Sequence, residues 1–254
     1  MEQLTYTLLA YINNSLEKDI NDSIARSFLK HIHNIETFSL DSVAEMCNVA
    51  PSTINRFCKR IGFRNFSSLR KSVTLSKKTD PTVGNPQQVL DASTFKKQFQ
   101  ENIDLINQIP VEHINRLVKR LKKSNKIVIL SFERYQIQTV ELQKKLLLLG
   151  KFCECSTNLF KQMKTLDDLT EDDLIIMISI QGHLLNEELP LIKKLRTSGG
   201  HKWLITFSDQ LADQAEFDDV IRCGFSENHA VSSHTLLRLF DVLEQWMVER
   251  AHLE

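Results

Sequence analysis

Between Pro51 and Arg64 the chain sets out Ser52, Thr53, Asn55, Arg56, Lys59, Arg60 and Arg64, side chains of the kinds that contact nucleic acid. In the major groove an arginine can bond bidentately to guanine and an asparagine to adenine. Ser52, Thr53, Asn55 and Arg56 fall in the first turns of a helix opened by Pro51, a position where the missing N–H of proline costs nothing. The N-terminus of such a helix itself favours a phosphate. Lys59, Arg60 and Arg64 come a turn or more later, where cations orient a protein on the phosphate backbone without reading sequence. From Pro51 to Lys78 there are eight Lys and Arg residues and no Asp or Glu, in a chain whose formal net charge is +0. A solvated basic face would carry the same charge, so the decision rests on the pattern around it.

That pattern is a helix-turn-helix. Ser39 is placed to cap a short helix whose buried face is Leu40, Val43, Ala44 and Cys47. Asn48-Val49-Ala50 make the turn, and Ile54, Phe57, Cys58 and Ile61 give the second helix its apolar face. Gly62 stands where a helix C-terminus accepts left-handed backbone. Upstream, the spacing of Ile24, Phe28, Ile32 and Ile35 predicts one helical face starting near Ser23. Residues 1–78 are therefore expected to be an all-helical DNA-binding domain. The Pro-, Gly- and Asn-bearing stretch 79–94 reads as a linker, and 95–254 as a second domain.

The second domain has a different character. Helical patterns at Phe95–Gln108 and Val111–Lys123 are followed by five short apolar runs, Ile127–Leu130, Phe152–Cys155, Leu174–Ile178, Trp203–Phe207 and Val220–Ile221. Helical periodicity lies between them at Gln136–Leu149, Leu184–Arg196 and Leu211–Phe217, and a last long helix is expected over Ser232–Ala251. Near-continuous apolar strands alternating with helices predict a five-stranded parallel α/β sandwich, so the fold class is α plus α/β. With 42% hydrophobic and 25% charged residues the chain can build two cores, and no apolar stretch approaches a membrane span. Five scattered cysteines suit reduced thiols, so a cytoplasmic location is expected. Cys153-x-Cys155 lacks the spacing of common zinc pairs, so no metal and no cofactor is expected.

The N-terminal residues resemble the DNA-binding domain of RpiR-type regulators, which include the MurR repressors of amino-sugar use. The resemblance is carried by Val43-Ala44, by Val49-Ala50-Pro51-Ser52-Thr53-Ile54-Asn55-Arg56-Phe57, by Lys59-Arg60-Ile61-Gly62-Phe63 and by Phe66-Ser67-Ser68-Leu69-Arg70. Ala50 departs from the usual capping Ser and forgoes a side-chain cap. The resemblance implies a C-terminal sugar isomerase (SIS) domain that binds phosphosugars and pairs with itself, and hence a homodimer or tetramer on a palindromic operator in double-stranded DNA.

The family's ligand loops are altered here. Gly-x-Gly-x-Ser after the first strand is replaced by Ser131-Phe132-Glu133-Arg134-Tyr135, and Ser-x-Ser-Gly-x-Thr after the third by Ser179-Ile180-Gln181-Gly182-His183-Leu184. Arg134, Ser156, Ser179, Gly182 and His183 are the candidate ligand residues. Three readings follow: an altered phosphosugar site, a site for another small metabolite, or a dimerisation scaffold. An SIS-type isomerase or lyase is the enzymatic alternative, with His183 or Glu187 drafted for proton transfer. The loss of phosphate-anchoring residues favours a regulator without turnover.

Overall fold

The computed structural model describes residues 2–79, 90–131, 135–156, 159–180, 190–208, 216–225 and 228–251. The chain divides into two compact units, Met1–Asn85 and Pro86–Glu254.

The first unit holds α1 (Glu2–Asn14), α2 (Ile20–Lys30), α3 (Leu40–Met46), α4 (Pro51–Arg60) and α5 (Phe66–Thr79). Asp19 caps α2 by accepting from the N–H groups of Asn21 and Asp22, each at 2.9 Å. Ser39 caps α3 through Ser42 N–H at 3.0 Å. Two helix ends here are closed the same way. After α3, Asn48 adopts φ 52°, Asn48 N–H bonds to Glu45 O and Val49 N–H to Ala44 O, both at 2.9 Å. After α4, Gly62 adopts φ 91°, with Gly62 N–H on Lys59 O at 3.1 Å and Phe63 N–H on Cys58 O at 2.8 Å. Both are Schellman caps, which satisfy the orphan carbonyls and redirect the chain sharply. The four-residue link from α3 to α4 follows from the first of them. Ala50 enters α4 in extended geometry without a side-chain cap, and Pro51 is the first helical residue. Phe28, Phe57 and Phe66 meet edge to face in the core, with Phe28 to Phe57 at 5.6 Å.

One helix is shorter than its periodicity predicts. Ile24 and Phe28 lie on α2, but the helix stops at Lys30, and the equally buried Ile32 and Ile35 belong to the turns that follow.

The second unit runs α6 (Ala92–Asn107), α7 (Val111–Lys123), β1 (Ile127–Ser131), α8 (Gln136–Leu148), β2 (Cys153–Cys155), α9 (Leu159–Thr165), β3 (Leu174–Ile178), α10 (Pro190–Thr197), β4 (His201–Thr206), β5 (Asp219–Arg222) and α11 (His229–Ala251). Asp91 caps α6, so this helix starts three residues before Phe95. The five strands are all parallel in the order β2-β1-β3-β4-β5. β1 and β3 are buried at every position, as parallel strands covered on both faces must be. Ile127, Ile129, Leu174, Ile176 and Trp203 join a core with residues of α7, α8 and α11. The alternate residues Val128, Leu130, Ile175, Met177 and Leu204 are also buried and point to the opposite side, where right-handed crossovers place α9 and α10.

Two expected elements differ. Phe152 is outside β2 and 71% exposed, and α9 is a helix beyond those the sequence pattern predicts. Of the expected helix at Leu184–Arg196, the described part is α10; residues 184–189, and most of Leu211–Phe217, lie outside the described residues.

Candidate functional site

The exposed side of α4 is set by what its other side must do. Ile54, Phe57 and Cys58 are buried, and burial pushes the Cys58 thiol up to about 12, so it is a packing group. What remains outward is a stripe at helical spacing, Ser52, Arg56 and Lys59, all exposed. Thr53 and Arg60 form the neighbouring stripe. Arg56 Nη2 donates to Thr53 Oγ1 at 3.2 Å, which holds the guanidinium over the first turn. Arg60 Nη1 lies 3.5 Å from Tyr11 Oη and 3.9 Å from Asp19 Oδ2, so this cation is steered toward α1 and the start of α2 while remaining 58% exposed. Lys59 and Arg64 are exposed and have no hydrogen-bond or ion-pair partner among the described residues.

Asn55 sits on the other flank. Its Oδ1 accepts from Phe66 N–H at 3.0 Å, satisfying a first-turn donor of α5, and Asn65 caps the same helix through Ser68 N–H at 2.9 Å. The side chain thus fixes α5 against α4. One lone pair of Oδ1 is taken and its orientation is fixed by α5, whereas bidentate pairing with adenine needs the oxygen turned to the base edge. Arg70 also has a structural task. It donates to Phe38 O at 2.7 Å and lies 6.0 Å from the Phe66 ring centroid. Ser39, Asn55, Asn65, Ser67 and Arg70 line a groove beside α4.

In the second unit the strand order reverses at β1: β2 follows on one side of it and β3 on the other. The crevice at the C-terminal ends of β1 and β3 is therefore the topological switch point, where open α/β sheets bind ligands. Ser131 pairs in register with Ile178, which puts Ser179 beside the end of β1. Ser179 is 2% exposed, and its hydroxyl has no hydrogen-bond partner. Ser131 Oγ is engaged with Thr139 Oγ1 of α8 at 3.0 Å. Ser156 follows β2, and its carbonyl accepts from Gln162 Nε2 at 2.6 Å. Arg134, Gly182 and His183 lie outside the described residues, as does Glu187.

Gln162 is the residue that sequence patterns do not disclose. It is a buried polar group on α9, and its Nε2 also donates to Ser131 O at 2.9 Å. Thr206 Oγ1 and Phe207 N–H both reach Ile180 O, at 3.3 and 3.1 Å, and pin the start of the loop after β3 to β4. Burial raises the thiols of Cys153 and Cys155. Among the described residues no cluster of His, Cys, Asp and Glu is arranged to hold a metal, and no helix is long and apolar enough to cross a membrane.

A helix-turn-helix with a basic outward face, joined in one chain to a five-stranded parallel α/β unit, defines a two-part transcriptional regulator. Residues 6–80 match the helix-turn-helix domain of the rpiR family. The chain is 26% identical over 203 residues to an uncharacterized HTH-type transcriptional regulator of Haemophilus influenzae, covering 76% of this chain and 69% of that one. It is 24% identical over 194 residues to the HTH-type transcriptional regulator GlvR of Bacillus subtilis, covering 74% and 72%. In fold it is similar to the Vibrio vulnificus NanR protein complexed with ManNAc-6P, with a TM-score of 0.53 at 15% identity over 96% of this chain and 92% of that one. The sugar isomerase domain of an RpiR transcription factor from Sphaerobacter thermophilus aligns at a TM-score of 0.51 and 19% identity, over 64% of this chain and 92% of that one. Residues 6–80 thus form an rpiR-family helix-turn-helix domain, the chain is similar to HTH-type transcriptional regulators over about three quarters of its length, and its second unit has the SIS-like fold.

Proposed function

We propose that this regulator binds a palindromic operator in the cytoplasm as a homodimer or a dimer of dimers. In this reading its α/β unit senses a phosphosugar or a related metabolite and adjusts genes of sugar or amino-sugar use without turning the ligand over. The DNA half is carried by the outward stripe of Ser52, Arg56 and Lys59 on a helix with no acidic residue. Arg56 reads a base, Lys59 and Arg64 meet phosphates, and Asn55 positions α5 while its amide hydrogens face the backbone. Two such helices occupy half-sites about 34–36 Å apart or a multiple of that.

The effector half is supported by the Ser179 hydroxyl, buried and unpartnered at the switch point. Native structures seldom leave such an atom unmet. Self-association is supported by Ile137, Val140 and Leu148, exposed along one side of α8, and by a groove that Ile137 and Val140 share with Leu237 of α11. An effector shifts DNA affinity only as far as it binds one state better than the other.

Titration of the full chain against a fluorescent fragment of its own upstream DNA, at several salt concentrations and with a panel of phosphosugars, tests both halves. Specific binding that falls steeply with salt and shifts with a phosphosugar is expected. Specific binding that no compound shifts favours a scaffold, turnover of a phosphosugar favours the enzymatic alternative, and the absence of any sequence preference refutes the regulator mechanism.

A further inference from the structure

Gln162 is 2% exposed, and its Nε2 donates both to Ser131 O at the end of β1 and to Ser156 O just past β2. Turning the amide over would set its oxygen against two carbonyl oxygens, so the orientation is fixed by its surroundings. Both amide hydrogens are consumed. Oε1 is left able only to accept, and it is buried without a hydrogen-bond partner. Gln162 lines, together with Gln143, Glu154, Ser156, Lys161 and Thr165, a cavity of about 110 Å³ beside the edge strand β2. On the other side of β1 lies the equally buried hydroxyl of Ser179. Two unmet polar atoms therefore flank the C-terminal end of one strand.

We propose that the effector crevice extends across the end of β1 from Ser179 to Gln162, and that Gln162 Oε1 accepts a hydrogen bond from a ligand hydroxyl. This rests on the effector reading above and narrows it. The effector is a polyhydroxylated molecule whose hydroxyl end, and not its phosphate, lies against α9. An ionised phosphate oxygen would meet Oε1 lone pair to lone pair. The cavity has the volume of a few waters and admits the hydroxymethyl end of a sugar.

The test is calorimetric titration of the full chain with glucose 6-phosphate, sorbitol 6-phosphate, N-acetylmannosamine 6-phosphate, glycerol 3-phosphate and inorganic phosphate. Monodeoxy analogues of the tightest binder follow, on the wild type and on Gln162→Met, with a thermal melt to verify that the variant folds. One deoxy position is expected to cost the wild type about tenfold in affinity and the variant less than about twofold. If Gln162→Met does not fold, the wild-type series decides alone, and deoxy analogues that all bind like the parent overturn the proposal. Equal deoxy losses in both proteins also overturn it. If none of the five probes binds the wild type, the effector reading itself fails and this inference with it.

Discussion

Replacing Asn55 separates two roles that its position on the reading helix confounds. Asn55→Ala removes the acceptor that holds Phe66 N–H at 3.0 Å in a half-buried setting. The first-turn donor of α5 is then left as an uncapped helix start leaves it, which costs about 1 kcal/mol, within a range of about 0.5–2. For a unit of this size that lowers the thermal midpoint by roughly 4–8 °C per kcal/mol. Asn55→Asp keeps the acceptor and sets a negative charge at the N-terminus of α5, where the helix dipole favours it. The same charge lies on α4 beside the exposed Arg56 and Lys59, proposed above to meet DNA. Calorimetric melting of the full chain is therefore expected to show a lowered first-unit transition for Asn55→Ala and an unchanged one for Asn55→Asp. In operator titrations Asn55→Ala should lose affinity evenly across operator variants, whereas Asn55→Asp should lose more, with a deficit that shrinks as salt screens the repulsion. If Asn55→Ala instead melts like the wild type and loses discrimination at one adenine, the residue is a base reader and the positioning argument is wrong.

Arg56→Ala should weaken operator binding by about 1–3 kcal/mol and relax the preference at a single base pair, measured by titrating a set of single-position operator variants. Lys59→Ala should lower affinity for all sequences alike and reduce the slope of log K against log salt by about 1; an unchanged slope would remove Lys59 from the phosphate contacts. In the second unit, Lys145 of α8 is largely buried, with Glu244 at 2.5 Å, Asp241 at 2.9 Å and Glu141 at 4.0 Å. The hydrogen bonds that Lys145 donates to Glu244 and then to Asp241 raise its pKa from the ordinary 10.5 to about 12. A raised lysine pKa contributes stability that is fully present below 10.5 and is lost as pH rises through about 12. The melting difference between wild type and Lys145→Met should thus stay constant from neutral pH to about 10 and shrink above it.

The strands were legible because β1 and β3 are buried on both faces, so their sequences are unbroken apolar runs that only a covered parallel sheet explains. The failures have equally local causes. Ile32 and Ile35 keep helical spacing although α2 ends at Lys30, because the chain continues through three-residue turns, with Asn34 N–H on His31 O at 3.0 Å and Thr37 N–H on Asn34 O at 2.9 Å. Such turns repeat nearly as often as a helix does, so the apolar pattern cannot tell them apart. Phe152 is apolar yet outside β2, which pairs on one side only and is three residues long. α9 carries no apolar periodicity because Gln162 occupies a buried position, and a polar residue there erases the pattern that marks a helix.

The sites divide along the same line. Ser156 and Ser179 could be singled out from sequence because small polar residues after parallel strands fall where such sheets bind ligands. Asn55 could be singled out as well, but not its partner, since the bond to Phe66 spans eleven residues and depends on how α5 leaves the turn at Gly62. A side-chain amide carries a donor half and an acceptor half, and the fold decides which half is spent. Asn55 spends its oxygen and keeps its hydrogens, so what it offers suits an anion such as a DNA phosphate. Gln162 spends its hydrogens and keeps its oxygen, so what it offers suits a hydroxyl. Two residues of one chemical type thus point to opposite ligands, and neither assignment follows until the backbone groups that claim the other half are known.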